Sequence, residues 1–199
     1  TTGFICDKIV LNKDPGANGY IRLFPFPQKS NLNRQLLSTQ NGLKNAERKY
    51  ALKIRSDMFL ESNAFLNLFS QYKNFAVENS YFTERIMVDG ISTCYKKAFG
   101  ICDWWTFGLK SDLEKWYSCS LSKEKDGEIY FDNINHKNKK FNDVVCQYDP
   151  ESYICYNFLS NFLYIDYDDC TFNTEKNIYI TKEFIKNNLI CAEYTKTGI

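Results

Sequence analysis

The stretch Tyr50–Leu60, YALKIRSDMFL, predicts a β-strand that ends in a carboxylate. Side chains alternate along a strand, so Lys53 and Arg55 lie on one face, with Asp57 in line with them where the strand should end. In open α/β sheets, ligands bind beyond the carboxyl ends of the strands. Two cations next to one acid suit a diphosphate and its divalent metal. The alternative is a solvated polar face in which Asp57 only begins a turn.

The composition describes a folded domain with balanced charge. The 199 residues suit a single domain, and a hydrophobic fraction of 44%, with 17% aromatic residues, is ample for a large core. The net charge of +1, from 25 basic and 24 acidic residues, gives no long-range attraction to nucleic acid, so we do not expect nucleic acid as a partner. The sequence contains no run of about 18 apolar residues and no visible signal peptide, and we expect a cytoplasmic location.

The eight cysteines predict neither disulfides nor a zinc site. They include no C-x-x-C pair, and most lie among apolar residues: Cys6, Cys94, Cys102, Cys119, Cys146, Cys155, Cys170 and Cys191. We therefore expect free thiols in a reducing compartment. His136 is the only histidine, which argues against zinc and against a Ser-His or Cys-His catalytic pair. A bound metal would need oxygen ligands, which Mg²⁺ and Mn²⁺ prefer.

Before the central stretch, the pattern predicts a short strand at 8–12 and a helix from Asn31 to about residue 46. The helix buries a leucine stripe and presents Arg34 and Gln35 on other faces. Both side chains could reach a nucleotide or phosphate near the start of the helix. A solvated helix face is the alternative.

The string Asp103-Trp104-Trp105 follows a predicted strand at 99–102. Tryptophan faces often line sugar sites, because apolar sugar faces stack on aromatic rings. The alternative is that both indoles belong to the core. A helix should follow, opened by a capping box that begins at Ser111.

The string Asp149-Pro150-Glu151 has the features of a helix start: a cap, a proline at the first position and an acid in the first turn. The helix dipole favours Glu151 as an anion, and a carboxylate in a cleft can accept a proton from an attacking hydroxyl. Alternatively, Glu151 only stabilises the start of the helix.

The remaining segments complete an α/β pattern. Residues 122–143 are charged and asparagine-rich, which indicates a surface excursion. A helix should begin at Ser62 or Asn63, and two strands, 178–180 and 189–192, should flank a helix capped by Thr181. Alternation of strands and helices without a second core argues for one layered α/β domain over residues 1–199.

The chain resembles the WavE lipopolysaccharide-synthesis family. The matching motifs run in order over most of the sequence: Asn31-x-Asn33-Arg34-Gln35, Ser38-x-x-x-Gly42-Leu43, Tyr50-x-x-Lys53-x-Arg55-Ser56-Asp57, Arg85-Ile86, Cys102-Asp103-Trp104-Trp105-x-Phe107-Gly108, Pro150-Glu151-x-Tyr153 and Asn187-Asn188. The resemblance implies a nucleotide-sugar-dependent glycosyltransferase with a GT-A-like, Rossmann-type mixed sheet flanked by helices. The opening strand and glycine-containing turn usual before the nucleotide site are not visible in this sequence.

The resemblance also implies roles for single residues in donor binding. Asp57 would be the surviving acid of a D-x-D-like motif and would bind Mn²⁺ or Mg²⁺ against the donor diphosphate. Arg55 replaces the first acid of that motif, so Arg55 and Lys53 would supply part of the positive charge. Arg34 and Gln35 would contact the donor nucleotide.

The remaining roles concern the acceptor. Trp104 and Trp105 would face the sugar or acceptor, and Asp103 or Glu151 would be the base of an inverting transfer. The expected partners are a nucleotide sugar and a glycan or lipid-linked saccharide of lipopolysaccharide, lipooligosaccharide or capsule synthesis. A lipid-linked acceptor would bring the protein to the inner membrane as a peripheral contact. The alternatives are a glycan-binding or scaffolding module and a sugar nucleotidyltransferase.

Overall fold

A computed structural model describes residues 7–18, 20–22, 28–74, 80–93, 95–123, 147–170, 172–193 and 197–199. The strands within these ranges are β1 Tyr20–Arg22, β2 Gln28–Lys29, β3 Tyr50–Ile54, β4 Ile86–Asp89, β5 Trp105–Leu109 and β6 Leu189–Ala192. The helices are α1 Leu32–Asn45, α2 Ala64–Tyr72, α3 Lys110–Trp116, α4 Pro150–Ser160 and α5 Glu175–Asn188.

Four strands form one mixed sheet in the order β3-β5-β4-β6. Strand β5 is antiparallel to both of its neighbours, whereas β4 and β6 are parallel. Strands β3, β4 and β6 therefore end at the same edge of the sheet, which is also the edge where β5 begins. We call this the carboxyl edge. Strands β1 and β2 form a separate antiparallel ribbon.

Apolar side chains cover both faces of the mixed sheet. On one face, Phe65 and Phe69 of α2 pack with Met87, Trp105 and Phe107. On the other face lies a larger core, which α1, α3, α4 and α5 build together; its members include Leu32, Leu36, Ile86, Val88, Leu113, Trp116, Phe158, Leu159, Phe184 and Leu189. The mixed α/β class with helices on both faces, expected from the sequence, is confirmed.

Several predicted elements are confirmed as well. The central stretch forms β3, and α1 buries its leucine stripe of Leu32, Leu36 and Leu43. Helix α4 begins as expected, because the Asp149 side chain accepts a hydrogen bond from the Ser152 amide at 2.8 Å. The strand at 189–192 is β6.

Two predicted strands are wrong. Residues 8–12 form no strand, and Ile9 and Leu11 lie largely exposed. Residues 99–102 also form no strand, and the φ of Phe99, 59°, lies in the left-handed region outside the strand conformation. The strand begins instead at Trp105, within the tryptophan string.

One further predicted strand and two predicted helix starts are also wrong. Residues 178–180 lie inside α5, whose cap is Thr174 rather than Thr181. A short apolar run does not distinguish a buried helix segment from a strand. The proposed capping box at Ser111 makes no cap bond, since α3 begins one residue earlier and has Leu109 at its cap position.

Some predictions lie outside the described residues. Residues 124–146, which contain His136 and Cys146, make up most of the predicted surface excursion, and Cys6 and Cys94 also lie outside. Among the described cysteines, Cys102, Cys119, Cys155 and Cys191 are free thiols, and the first and third of these are buried. None of the described helices is both long and apolar enough to cross a bilayer.

Replacing Phe158 tests the larger core. Phe158 is buried and contacts the rings of Phe82, Trp116 and Phe184 at centroid distances of 4.9, 5.3 and 5.9 Å. We expect Phe158→Ala to lower the free energy of unfolding by about 3–5 kcal/mol, measured by urea denaturation. The control Phe59→Ala removes an exposed ring and should change it by no more than about 0.5 kcal/mol. Equal losses in the two variants would contradict this description of the core.

Candidate functional site

A cleft of about 730 Å³ lies between α1 and β3 and reaches the carboxyl edge of the sheet. Gln35 lines it from α1, and Lys53, Arg55 and Asp57 line it from β3 and the turn that follows. The cleft therefore brings together four of the five residues that the sequence predicts for donor binding. We call it the α1–β3 cleft.

Asp103 is the acid at the inner end of this arrangement. It immediately precedes Trp104 and β5 and is only 4% exposed. The Gln35 amide donates a hydrogen bond to its carboxylate, and the Lys53 ammonium donates one to its backbone carbonyl. Burial raises the pKa of Asp103, and the nearby Lys53 charge opposes that rise. Asp103 thus joins α1, β3 and β5 through polar contacts.

Lys53 is the half-buried cation of the site. It lies on β3 opposite Thr106 of β5, and its side chain points to the face away from α2. Burial lowers its pKa, whereas Asp103 and, more weakly, Glu151 raise it. A half-buried cation can stabilise an added negative charge more than an exposed one, because lower dielectric strengthens its interactions.

Arg55 and Asp57 form an exposed ion pair at the mouth of the cleft. The Arg55 Nε and Nη2 atoms donate to the two Asp57 carboxylate oxygens at 2.8 and 2.6 Å. The hydrogen bond from Arg55 holds the pKa of Asp57 low, at about 2, so this carboxylate is ionised at neutral pH. The Arg55 guanidinium also lies 5.6 Å from the Trp104 ring centroid, and the Arg55 amide donates to the Trp104 carbonyl.

Glu151 lies in the first turn of α4, close enough to Asp103 and Lys53 to interact with their charges. Burial is the main cause that raises its pKa to about 7, and the negative charges of Asp103 and Asp149 add to the rise. Lys97 opposes it from an ion pair with Asp149. A carboxylate with a pKa near neutrality can both accept and release a proton.

The two tryptophans of the string have different environments. Trp104 is 41% exposed next to Arg55, which leaves part of its ring available to a ligand. Trp105 is fully buried and packs with Phe65, Phe69 and Met87. The prediction that Trp105 binds sugar or acceptor is therefore wrong, because β5 turns its side chain into the core.

Arg34 does not line the α1–β3 cleft. Its guanidinium donates two hydrogen bonds to Asp14, each at 2.8 Å, and a third to the Asn31 side chain at 2.9 Å. Asn31 does line the cleft, so Arg34 lies next to the cleft and contacts one of its lining residues. Contact between Arg34 and a donor nucleotide stays a prediction, and it requires the Asp14 pair to open.

Sequence reasoning missed three charged residues of this region. Lys97 and Asp149 form the ion pair beside Glu151, yet Lys97 lies in no recognisable motif and Asp149 has the features of an ordinary cap. Asp89 ends β4 at the carboxyl edge and accepts hydrogen bonds from the Ile91 and Ser92 amides at 3.1 and 3.3 Å. The apolar run 86–88, followed directly by an acid, could have indicated Asp89.

A metal would find few protein ligands here. Among the described residues, no three His, Cys, Asp or Glu side chains form a group that could hold an ion. Asp57 alone offers one carboxylate, which is enough for Mg²⁺ only where substrate phosphates and water complete the shell. Among the described residues, the donor set would hold a metal only together with a ligand that supplies the remaining oxygen atoms.

The raised pKa of Glu151 predicts how the stability of the protein depends on pH. Folding raises this pKa from its usual 4.5 to about 7, so between these values the folded state binds more protons than the unfolded state and stability falls as pH rises. We expect Glu151→Gln to be more stable than the parent by up to about 3 kcal/mol at pH 8. The difference should disappear below pH 4.5, as followed by urea denaturation across pH. Glu175→Gln, at an exposed helix start, is the matched control and should show no comparable gain. A gain of the same size at low and high pH would contradict the electrostatic cause.

Comparison with known proteins identifies one family. A family model described as WavE lipopolysaccharide synthesis matches residues 1–199, the whole chain, which confirms the resemblance in the sequence motifs. Searches of curated proteins and of solved structures returned no match. Membership implies involvement in lipopolysaccharide synthesis. The chain belongs to the WavE lipopolysaccharide synthesis family.

Proposed function

We propose that this protein is a nucleotide-sugar-dependent glycosyltransferase that acts in lipopolysaccharide synthesis. The main support is the arrangement at the carboxyl edge, where the half-buried Lys53 lines an open cleft and is close enough to the acids Asp103 and Glu151 to interact with their charges. A sugar transfer needs positive charge at the leaving group and a base at the acceptor hydroxyl. The GT-A-like assignment of the sheet belongs to the same proposal.

Lys53 and Arg55 stabilise the leaving group in this proposal. The bond between the anomeric carbon and the diphosphate oxygen breaks, and the diphosphate leaves with the electron pair. Arg55 offers a planar guanidinium at the cleft mouth, and Lys53 adds charge from inside. Gln35, which holds Asp103, lines the same cleft and would contact the donor.

Glu151 is the proposed base, with Asp103 as the alternative. The acceptor oxygen forms the new bond to the anomeric carbon from the opposite side, and its proton passes to the carboxylate. Glu151 suits this role, because its pKa of about 7 lets it accept a proton at neutral pH. Asp103 is less suited, because its carboxylate already accepts the Gln35 amide and is almost fully buried.

A divalent metal, Mn²⁺ or Mg²⁺, would be held by Asp57 together with the donor. Bound there, it would supply additional positive charge for the departing diphosphate. Arg55 competes for the same carboxylate oxygens. Metal alone should therefore bind poorly, whereas metal with a nucleotide diphosphate should bind together.

The acceptor in this proposal is a glycan or a lipid-linked saccharide. A lipid-linked acceptor would place the protein in peripheral contact with the inner membrane, on the cytoplasmic side. Trp104 supports a sugar-binding role, because it exposes part of its ring beside Arg55. The same exposure favours a second candidate, a glycan-binding module without catalysis.

A thermal-shift panel separates the two candidates. UDP-, CMP- and GDP-sugars are each added with and without Mn²⁺, and a set of oligosaccharides is tested alone. A glycosyltransferase should show a higher melting temperature with one nucleotide class, because a ligand that binds only the folded state stabilises it. A response to oligosaccharide with none to any nucleotide would refute the enzyme and favour the binding module.

Replacing Asp57 tests the assigned donor site. We expect Asp57→Asn to lower turnover of the nucleotide sugar at least about 100-fold, because the variant loses the charge that would hold the metal. Asp57 is exposed and its partner is Arg55 alone among the described side chains, so the melting temperature should hardly change. The control Asp168→Asn removes an exposed acid that does not line the cleft and should keep full turnover. Full turnover in Asp57→Asn would overturn the role.

A further inference from the structure

The α1–β3 cleft follows an open strand edge. Within the described residues, β3 is the outermost strand of the mixed sheet, and β5 is the strand with which it pairs. Consecutive residues of β3, from Ala51 to Ile54, line the cleft. Because side chains alternate between the two faces of a sheet, a cavity that touches neighbours in a row runs along the edge of the strand. One wall of the cleft is therefore the open edge of β3.

The backbone of β3 turns every second residue towards this edge. The Arg55 amide donates a hydrogen bond to the Trp104 carbonyl at 3.1 Å, so Arg55 belongs to the residues that bond to the β5 side. Bonded residues alternate in an antiparallel pair, and the amides and carbonyls of Leu52 and Ile54 consequently point away from β5. No described residue hydrogen-bonds to them on that side. The cleft wall thus offers backbone donors and acceptors to a ligand.

Helix α1 leaves an open space in the same cleft. Gly42 lines the cleft near the end of α1, and a Cβ atom added there would meet no other residue within 4 Å. Its φ does not lie in the left-handed region, so the backbone does not require glycine. Glycine is a poor helix former, and here no neighbouring side chain packs into the space that it leaves. The space is open to a ligand that lies against the helix backbone.

The cleft has a charged end and an uncharged end. Lys53, Arg55 and Asp57 lie towards the carboxyl edge. The lining residues in the later part of α1 carry no charge: Ser38, Thr39, Gly42, Leu43 and Ala46. A strand rises about 3.3 Å per residue, which places Leu52 about 10 Å from Arg55. A nucleotide has the same order of groups, because its ribose separates the charged phosphates from an uncharged base.

We propose that the open edge of β3 binds the base of the donor nucleotide through the backbone of Leu52 and Ile54, and that Gly42 makes room for the base. The proposal rests on the proposed function, in which the donor is a nucleotide sugar. A base carries hydrogen-bond donors and acceptors along its Watson–Crick edge. A strand edge can pair with them as it pairs with an added strand. The diphosphate then lies at Lys53 and Arg55, whose charges favour a nucleotide over an uncharged peptide strand.

Isothermal titration calorimetry with UDP, GDP, CDP and base-free pyrophosphate tests the role of Gly42. We expect one nucleoside diphosphate to bind at least about tenfold more tightly than pyrophosphate. Gly42→Leu should remove most of this difference, because its side chain fills the space for the base, and should leave pyrophosphate binding unchanged. Its melting temperature should not fall, since leucine is the better helix former. The control Lys44→Leu, at an exposed position of α1 outside the cleft, should bind like the parent.

Amide hydrogen exchange followed by NMR tests the strand edge directly. In the free protein the Leu52 and Ile54 amides should exchange faster than those of Ala51 and Lys53, which bond to β5. Addition of the nucleoside diphosphate that binds best should slow exchange at Leu52 or Ile54 at least about tenfold beyond the effect of pyrophosphate.

The outcomes separate this proposal from the proposed function. It is overturned if no nucleoside diphosphate binds more tightly than pyrophosphate, if Gly42→Leu binds like the parent, or if only an oligosaccharide slows exchange at the β3 edge. Sugar transfer that survives alongside an unprotected edge would refute the base site and leave the transferase standing. Protection of the edge by a nucleotide without any sugar transfer would support the base site and refute the transferase.

Discussion

The contacts around the buried Asp103 connect the fold of this protein with its candidate site. Its carboxylate is held by Gln35 of α1, and its carbonyl is held by Lys53 of β3, directly before β5 begins. Charged groups in a low-dielectric interior are costly unless they are paired and hydrogen-bonded. Through Asp103, the packing of α1 against the sheet and the position of the end of β3 thus depend on each other. A residue that only filled space would not constrain three elements in this way.

The direction of β5 explains why these groups meet at all. Because β5 runs antiparallel between β3 and β4, the residues before it lie at the edge where β3, β4 and β6 end. Asp103 and Trp104 therefore reach the same place as Arg55 and Asp57. The start of α4 adds Glu151 to this edge.

Electrostatics divides the acids of the site into two groups. Asp57 is exposed, paired with Arg55 and ionised over the whole physiological range. Burial raises the pKa of both Asp103 and Glu151, and the negative charge of Asp103 raises the pKa of Glu151 further. An anion that is always charged suits a metal and a diphosphate, whereas an acid that titrates near neutrality suits proton transfer. This difference supports separate roles for Asp57 and Glu151 in the proposed transfer.

Local sequence patterns predicted those secondary-structure elements that depend on interactions between neighbouring residues. Alternation predicted β3 with Lys53 and Arg55 on one face, and the cap and proline before Glu151 predicted the start of α4. The family motifs also predicted the family that the whole-chain match confirms.

Only the tertiary structure decided which polar residues share an environment and which rings are buried. The strand starts at Trp105 rather than at Phe99, which has a positive φ, and the Trp105 ring lies in the core, which no local pattern indicated. Lys97 joined the site through an ion pair with Asp149, 52 positions along the chain. Burial and charge proximity are properties of contacts distant in sequence, and they set the pKa of Glu151 and the pairing of Asp103. For that physical reason the chain alone indicated candidate residues, and the folded protein determined what each of them can do.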